Sequence, residues 1–429
     1  MNNYLWSKEG FNGPNETIQK FLAGKDVLLD RYLFLFDIRA TIAHIHGLER
    51  IDVLTKSECQ KLEGGLKELS ELFESGEFIL DAPHEDSHSA IEFWLTEQLG
   101  PIGGKIHTGR SRNDQVQVAL RLYMVDRLDK LTYLTKKLSE NLLNRAEEMH
   151  DWAMPGYTHL QRAVPSSVGL WLGGMAEAFC DITQLVVMTK DWLNTSPLGS
   201  AAGYGVNLPL DREGVAKDLG FDHVQINPQY VQNSRGRFEL QALSTLAQAT
   251  LEMRRLAWDL SLYTSSEFLF VNIPEKYVTG SSIMPNKRNP DVVELLRASH
   301  GIVEGAMVEL QSTINLPSGY HRDLQMTKRP LIRAFEESLP ALEIMSNLVL
   351  DMNLNKLNLL NAIDKDMYAT DMAIDAALEG GTFREAYKTA MQSDQLVKKT
   401  PKDSLDARVS LGGCANLGLD QIKKRLGSF

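Results

Sequence analysis

The stretch NDQVQVALRLYMVDRLDKLTYLTKKLSENLLNRAEEMH, residues 113–150, contains neither proline nor glycine. Its apolar residues recur at Leu120, Met124, Leu128, Leu131, Leu134, Leu138 and Leu142. That three-to-four spacing is the stripe of one helix face. At the rise of an α-helix it would run roughly 55 Å. Similar patterns cover residues 165–193, 236–267, 291–314 and 330–352. Proline stands at or near the start of three of them, where a missing N–H costs nothing. Five long helices with no strand-rich block between them predict an all-α fold built on an elongated central bundle.

Shorter helical patterns flank the bundle. The chain therefore divides, on this reading, into an N-terminal helical domain (1–110), a central long-helix bundle (111–355) and a small C-terminal helical domain (356–429). Helices this long seldom bury their whole apolar stripe within one subunit, which motivates a homo-oligomer.

Composition is that of a globular protein, 43% hydrophobic and 24% charged over 429 residues, enough to bury a large core. The opening MNNYLWSKEG has no basic run followed by an apolar one, so no signal peptide is expected. No apolar segment reads as a bilayer span. Cys59, Cys180 and Cys414 are odd in number and far apart. They predict reduced thiols in a cytoplasm, with neither a disulfide framework nor a metal site. A net charge of −11 disfavours nucleic acid as a partner. It also means that an anionic metabolite needs locally concentrated positive charge. Such charge occurs in three Gly/Ser/Asn/Pro-rich segments: Lys105, Arg110 and Arg112; Lys287 and Arg288; Arg322, Lys328 and Arg329.

Gly280–Pro290, GSSIMPNKRNP, precedes a helix pattern. It offers hydroxyls, the Lys287 charge and the Asn289 amide without bulky cover. Backbone amides near a helix start attract anions, so the segment could hold a carboxylate. On composition alone an ordinary turn capping a helix is the simpler reading. A second string, His107–Gln115 (HTGRSRNDQ), opens the first long helix, where Asn113 or Asp114 could cap it. A third, Met154–Arg162 (MPGYTHLQR), reads as a loop between two long helices, and it carries His159, a residue type suited to acid–base chemistry.

The loop from Gly280 matches, at every defined position, the GSSxMPxKxNP string of the fumarase/aspartase superfamily, which it resembles. The resemblance implies that Ser281 takes a proton from the carbon beside a carboxylate. Lys287 and Asn289 would stabilise the doubly charged aci-carboxylate that forms. Preorganised donors are the usual large term in such a barrier. Serine is a poor base, and the sequence shows no neighbouring group that would ionise it.

The strings HTGRSRNDQ and GYTHLQ resemble the versions found in argininosuccinate lyases. By that resemblance Arg112, Asn113 and Thr158 bind substrate, and His159 is the general acid or a charge partner, paired with Glu294. Arginine can hold a carboxylate through two parallel bonds. The stretch around Glu85–His88 resembles an ED-x-H element with His88 facing substrate. Tyr320, Gln325 and Lys328 keep a substrate-binding Y-x4-Q-x2-K spacing, and Ser196–Ser200 resembles an SPLG loop. Asp30 aligns with a substrate-binding aspartate.

Three positions depart from the pattern. Asp26 stands where serine is usual, His321 where asparagine is usual, and Asn233–Arg237 (NSRGR) differs from SDRD around Arg235. An acid at Asp26 could still accept hydrogen bonds from the amino-acid end of a substrate. The resemblance covers residues 26–387. It implies cleavage of argininosuccinate to arginine and fumarate without cofactor or metal, in a cytoplasmic homotetramer whose active sites are each shared by three subunits. Alternatives are another fumarate-releasing lyase of the superfamily (adenylosuccinate lyase, aspartase or fumarase) or a non-catalytic structural relative.

Overall fold

The structure, a computed structural model, describes residues 16–81, 84–390 and 399–429. The opening ten residues, read above for a signal peptide, lie outside them. The chain begins with α1 (Glu16–Ala23), α2 (Asp26–Asp30), α3 (Phe34–Arg50), α4 (Lys56–Ser75) and α5 (Ser87–Leu99). Helices α6 (Arg112–Glu148) and α7 (Val168–Leu193) are long, and α8 (Arg212–Asp218) and α9 (Pro228–Asn233) short. Then come three more long ones, α10 (Arg237–Tyr263), α11 (Asp291–Thr313) and α12 (Lys328–Asp351), and further short helices. The strands pair two by two: β1 (Ala153–Thr158) with β2 (Gln161–Ser167), β3 (Thr195–Ser196) with β4 (His223–Val224), β5 (Val271–Asn272) with β8 (Asn353–Leu354), and β6 (Thr279–Gly280) with β7 (Arg288–Asn289). The fold is all-α, and the five long helices fall where the apolar stripes predict them.

Two local expectations need correcting. The segment read as a loop around Met154–Arg162 is a hairpin, β1–β2. Pro165 pairs with Pro155 inside it, so α7 starts at Val168 and not at residue 165. Helix α6 is capped by Ser111 and Asp114 in place of Asn113. The Ser111 hydroxyl accepts from the Asn113 N–H at 3.3 Å, and the Ser111 N–H donates to Asp114 at 2.9 Å. Both bonds satisfy backbone N–H groups at the helix start.

The chain packs as two compact units. The first comprises Met1–Asp129, Met188–Ser244 and Gly305–Phe335. Its main core joins α3, α4 and α5 through Phe34, Ile38, Leu62, Leu66 and Leu95. A second core sets Val118 and Leu122 of α6 against Val215, Leu219 and Phe221. Helix α4 is delimited by a capping box between Thr55 and Glu58 and by Gly76 in the left-handed conformation, φ 80°.

The second unit comprises Lys130–Val187, Thr245–Glu304 and Glu336–Phe429. Buried polar groups here find partners between helices. Ser139 donates to the Ala176 carbonyl at 2.7 Å, and Asn141 donates to Ser346 at 2.9 Å. Each such bond contributes about 1 kcal/mol net, and more would be lost by leaving one partner alone. All seven stripe residues named on α6 are at most 1% exposed. Helix α7 is long and apolar enough, by length and composition, to cross a membrane, which the sequence reading did not anticipate. Yet Leu172, Ala176, Phe179, Cys180 and Val186 on it are wholly buried within protein.

Candidate active site

In the first unit an ion cluster gathers residues far apart in sequence. Buried Lys328, at the start of α12, donates to Asp30 at 2.7 Å and contacts Asp26 at 3.0 Å, both on α2. Burial alone would push the Lys328 ammonium down, but Asp30 and Asp26 outweigh it and hold its pKa above the ordinary value. The Asp26 carboxyl is raised, chiefly by burial, despite Lys328. Next to this cluster, Asp30 accepts from the Ser87 N–H at 3.0 Å. Asp86 caps α5 by accepting from the Ser89 N–H at 2.8 Å, and thereby sets His88 in the first turn. Arg112, at the start of α6, reaches back to Glu85 at 2.6 Å and to Asp86 at 3.3 Å. Burial opposes the Arg112 charge, and Asp86 and Glu85 more than offset it.

The remaining predicted residues of this unit lie around the same elements. Asn113 follows Arg112 in the first turn of α6. Gln325 donates to the Leu22 carbonyl at 3.0 Å. The Tyr320 ring stands under the Arg235 guanidinium, 5.5 Å from its carbon to the ring centre. Arg235 itself is buried and donates to the Leu324 carbonyl at 3.4 Å. The SPLG loop is tied to α6 by buried Asp114, whose second oxygen accepts from the Gly199 and Ala201 N–H groups at 3.1 and 2.8 Å. Gly199 sits at φ 86°, and a Cβ there would lie 2.8 Å from the Arg212 side chain, so a bare backbone is required.

In the second unit, Thr158 pairs with Gln161 across the hairpin, which leaves His159 and Leu160 as a two-residue turn. Both have positive φ, 55° and 56°. That is the signature of a type I′ turn, ordinarily built from Asn-Gly. The tip is exposed, Leu160 to 70%. Pairing of β6 with β7 makes residues 281–287 a hairpin loop as well, with Asn289 on its return strand. Here the Ser281 hydroxyl oxygen accepts from the Ile283 and Met284 N–H groups at 3.3 and 3.1 Å. Lys287 is exposed on the same loop, and Glu294 is exposed in the first turn of α11. Among the described residues, no hydrogen bond or ion pair joins His159 to Glu294 or either of them to Ser281.

Three contributors were not anticipated from the sequence. Two are the backbone amides of Ile283 and Met284. Both N–H groups point at the Ser281 oxygen, and donors so placed favour a charged form of the oxygen they meet. The third is Asp37, buried on α3 against His88 at 2.5 Å. A carboxylate inside the apolar run LFLFDI, residues 33–38, was the available signal.

An all-α fold and a Ser/Lys/Asn loop of this form define a class of lyases. Residues 23–305 match the family described as Lyase, within the fumarase/aspartase superfamily. Solved structures share the fold. EDDS lyase in complex with formate superposes with a TM-score of 0.75 at 20% identity, covering 97% of this chain and 91% of that one. The 3-carboxy-cis,cis-muconate lactonizing enzyme of Pseudomonas putida gives 0.71 at 17% identity and 96% coverage of each. Sequence relatives are more specific. Argininosuccinate lyase of Xanthomonas axonopodis pv. citri (strain 306) is 51% identical over 427 residues, 99% of each chain. That of Xylella fastidiosa (strain Temecula1) is 50% identical over 99% of this chain and 96% of its own. The chain belongs to the argininosuccinate lyases, a family of lyase enzymes.

Proposed function

We propose that this chain cleaves argininosuccinate to arginine and fumarate, the last step of arginine biosynthesis, by base-catalysed β-elimination. Ser281, as the alkoxide, removes a proton from the succinyl carbon beside a carboxylate. The electron pair moves into that carboxylate to give the aci form, whose added charge Lys287 and Asn289 stabilise. The pair then returns to form the C=C bond of fumarate as the C–N bond breaks. The guanidine leaves with its electron pair and ends protonated, being a strong base. Arg112, Asn113 and His88 bind substrate, and Thr158 binds a carboxylate. Asp26 accepts from the amino-acid end, Asp30, Tyr320, Gln325 and Lys328 bind substrate, and His159 with Glu294 serves as acid or charge partner.

The observation that carries this reading is the Ser281 oxygen under two amide donors, on one loop with Lys287 and Asn289. The high identity to curated argininosuccinate lyases supports the choice of substrate. The assembly proposed is a homotetramer in which each active site draws on three subunits, located in the cytoplasm, where free and buried Cys59, Cys180 and Cys414 stay reduced. The test is a substrate panel. Purified protein is offered argininosuccinate, adenylosuccinate, aspartate and malate, and fumarate is followed by ultraviolet absorbance. Fumarate from argininosuccinate alone is expected. Release from another of the four, with none from argininosuccinate, would reject the assignment.

A further inference from the structure

Asp37 has no role in the scheme above, yet it makes the closest contact to a group placed there on the substrate. It is fully buried. Its Oδ2 accepts from the His88 Nδ1–H at 2.5 Å and from the Ser87 hydroxyl at 2.8 Å. A carboxylate only accepts, so Nδ1 carries the hydrogen. Among the described residues no other hydrogen bond engages the ring, which leaves Nε2 for a ligand. Asp37 Oδ1 has no hydrogen-bond partner, and neither has Nη2 of buried Arg110. Arg110 is held by the Ile106 carbonyl at 3.1 Å and the Thr41 hydroxyl at 3.0 Å, and its charge acts on Asp37 through space. A carboxylate buried this deeply is costly unless cations compensate it, and the Arg110 guanidinium is one such cation.

We propose that Asp37 is a positioning residue: it fixes the His88 ring and keeps it positively charged, so that Nε2–H meets a substrate carboxylate as a charged donor. This rests on the reading of His88 as substrate-facing. Burial pushes the imidazole down, but Asp37 first, then Asp86 and Asp30, raise it above its ordinary value. Asp30 is itself shared with Lys328. The nearby His107 is pushed down to about 4, mainly by burial and Arg110, and adds no charge at neutral pH.

The test uses Asp37→Asn, which can still accept from Nδ1–H but carries no charge. KM for argininosuccinate is expected to rise about tenfold at pH 8, the order of what a charged donor adds over a neutral one, and far less at pH 6, with kcat changed less than KM. His88→Asn should raise KM at both pH values, and adding Asp37→Asn to it should do no further harm. A pH-independent loss in Asp37→Asn, or additive losses in the double variant, would overturn the proposal. If Asp37→Asn does not fold, 15N-histidine spectra of the wild-type protein decide, with His88→Asn assigning the signal. Both ring nitrogens should be protonated at pH 7, and a neutral ring contradicts the proposal. This arm needs no substrate, so a wild-type chain that released no fumarate would reject the assigned activity while the spectra still judged Asp37.

Discussion

At the scale of single residues, the site depends on where charge is compensated. Lys328 is enclosed by Asp26 and Asp30, and Arg112 by Glu85 and Asp86. The sequence made the individual cations and acids legible as binding groups. It could not show their pairing, because Lys328 and Asp30 are 298 positions apart and Asp37 and His88 are 51 apart. Histidines carry a pH consequence. His44 is pushed well below its ordinary value, mainly by burial and Arg110, and His107 to about 4 by the same causes. Their unfolded forms protonate near pH 6.5 while the folded forms do not, so stability falls as pH drops below that value. His88, raised, works the other way: its stabilisation is present below pH 6.5 and is lost as pH rises through its folded value. His84 is lowered too, mainly by burial, and with three lowered rings against one raised the thermal midpoint should fall between pH 6.5 and pH 5. It should fall less in His107→Gln, as measured by a thermal scan at each pH; identical falls in both proteins would contradict this. The 3.5 Å contact of His107 with Glu92 is accordingly not an ion pair at neutral pH.

At the scale of elements, the long helices were legible because their stripes are long, regular and uninterrupted, and every stripe residue named on α6 is buried. The two hairpins were not. Pro155 and Gly156 read as loop punctuation and Pro165 as a helix start, and His159-Leu160 is not the Asn-Gly pair by which a type I′ turn is ordinarily found. Holding a non-glycine residue at positive φ costs of order 1–2 kcal/mol, and such strain persists where surrounding structure over-determines it. The tip therefore gives up stability to hold His159 and Leu160 in this turn. Leu160→Gly should relieve the strain, stabilising the protein by about 1 kcal/mol while lowering kcat through a less fixed tip. Chemical denaturation and steady-state kinetics on the same preparation check both parts. A variant that is less stable and equally active would remove the strain argument.

At the scale of the whole molecule, the motifs divide cleanly. Asp26, Asp30, His88, Arg112, Asn113, Tyr320, Gln325 and Lys328 belong to the first compact unit, and Thr158, His159, Ser281, Lys287, Asn289 and Glu294 to the second. The sequence made the membership of each motif legible but not this division, because each unit is assembled from three separate stretches. If sites are shared among subunits, two inactive variants can complement each other. Ser281→Ala and His159→Asn should each be inactive alone and regain measurable activity when unfolded and refolded together. No recovery, with mixed tetramers demonstrated by mass, would count against sharing. The account as a whole rests on Ser281 acting as the base on argininosuccinate. The direct measurement is fumarate release from argininosuccinate by the wild-type chain and by Ser281→Ala, each shown to be folded. A fall of about 10³-fold or more in kcat is predicted, within the range lost with a general base, and a Ser281→Ala enzyme within a few-fold of wild type would contradict the account.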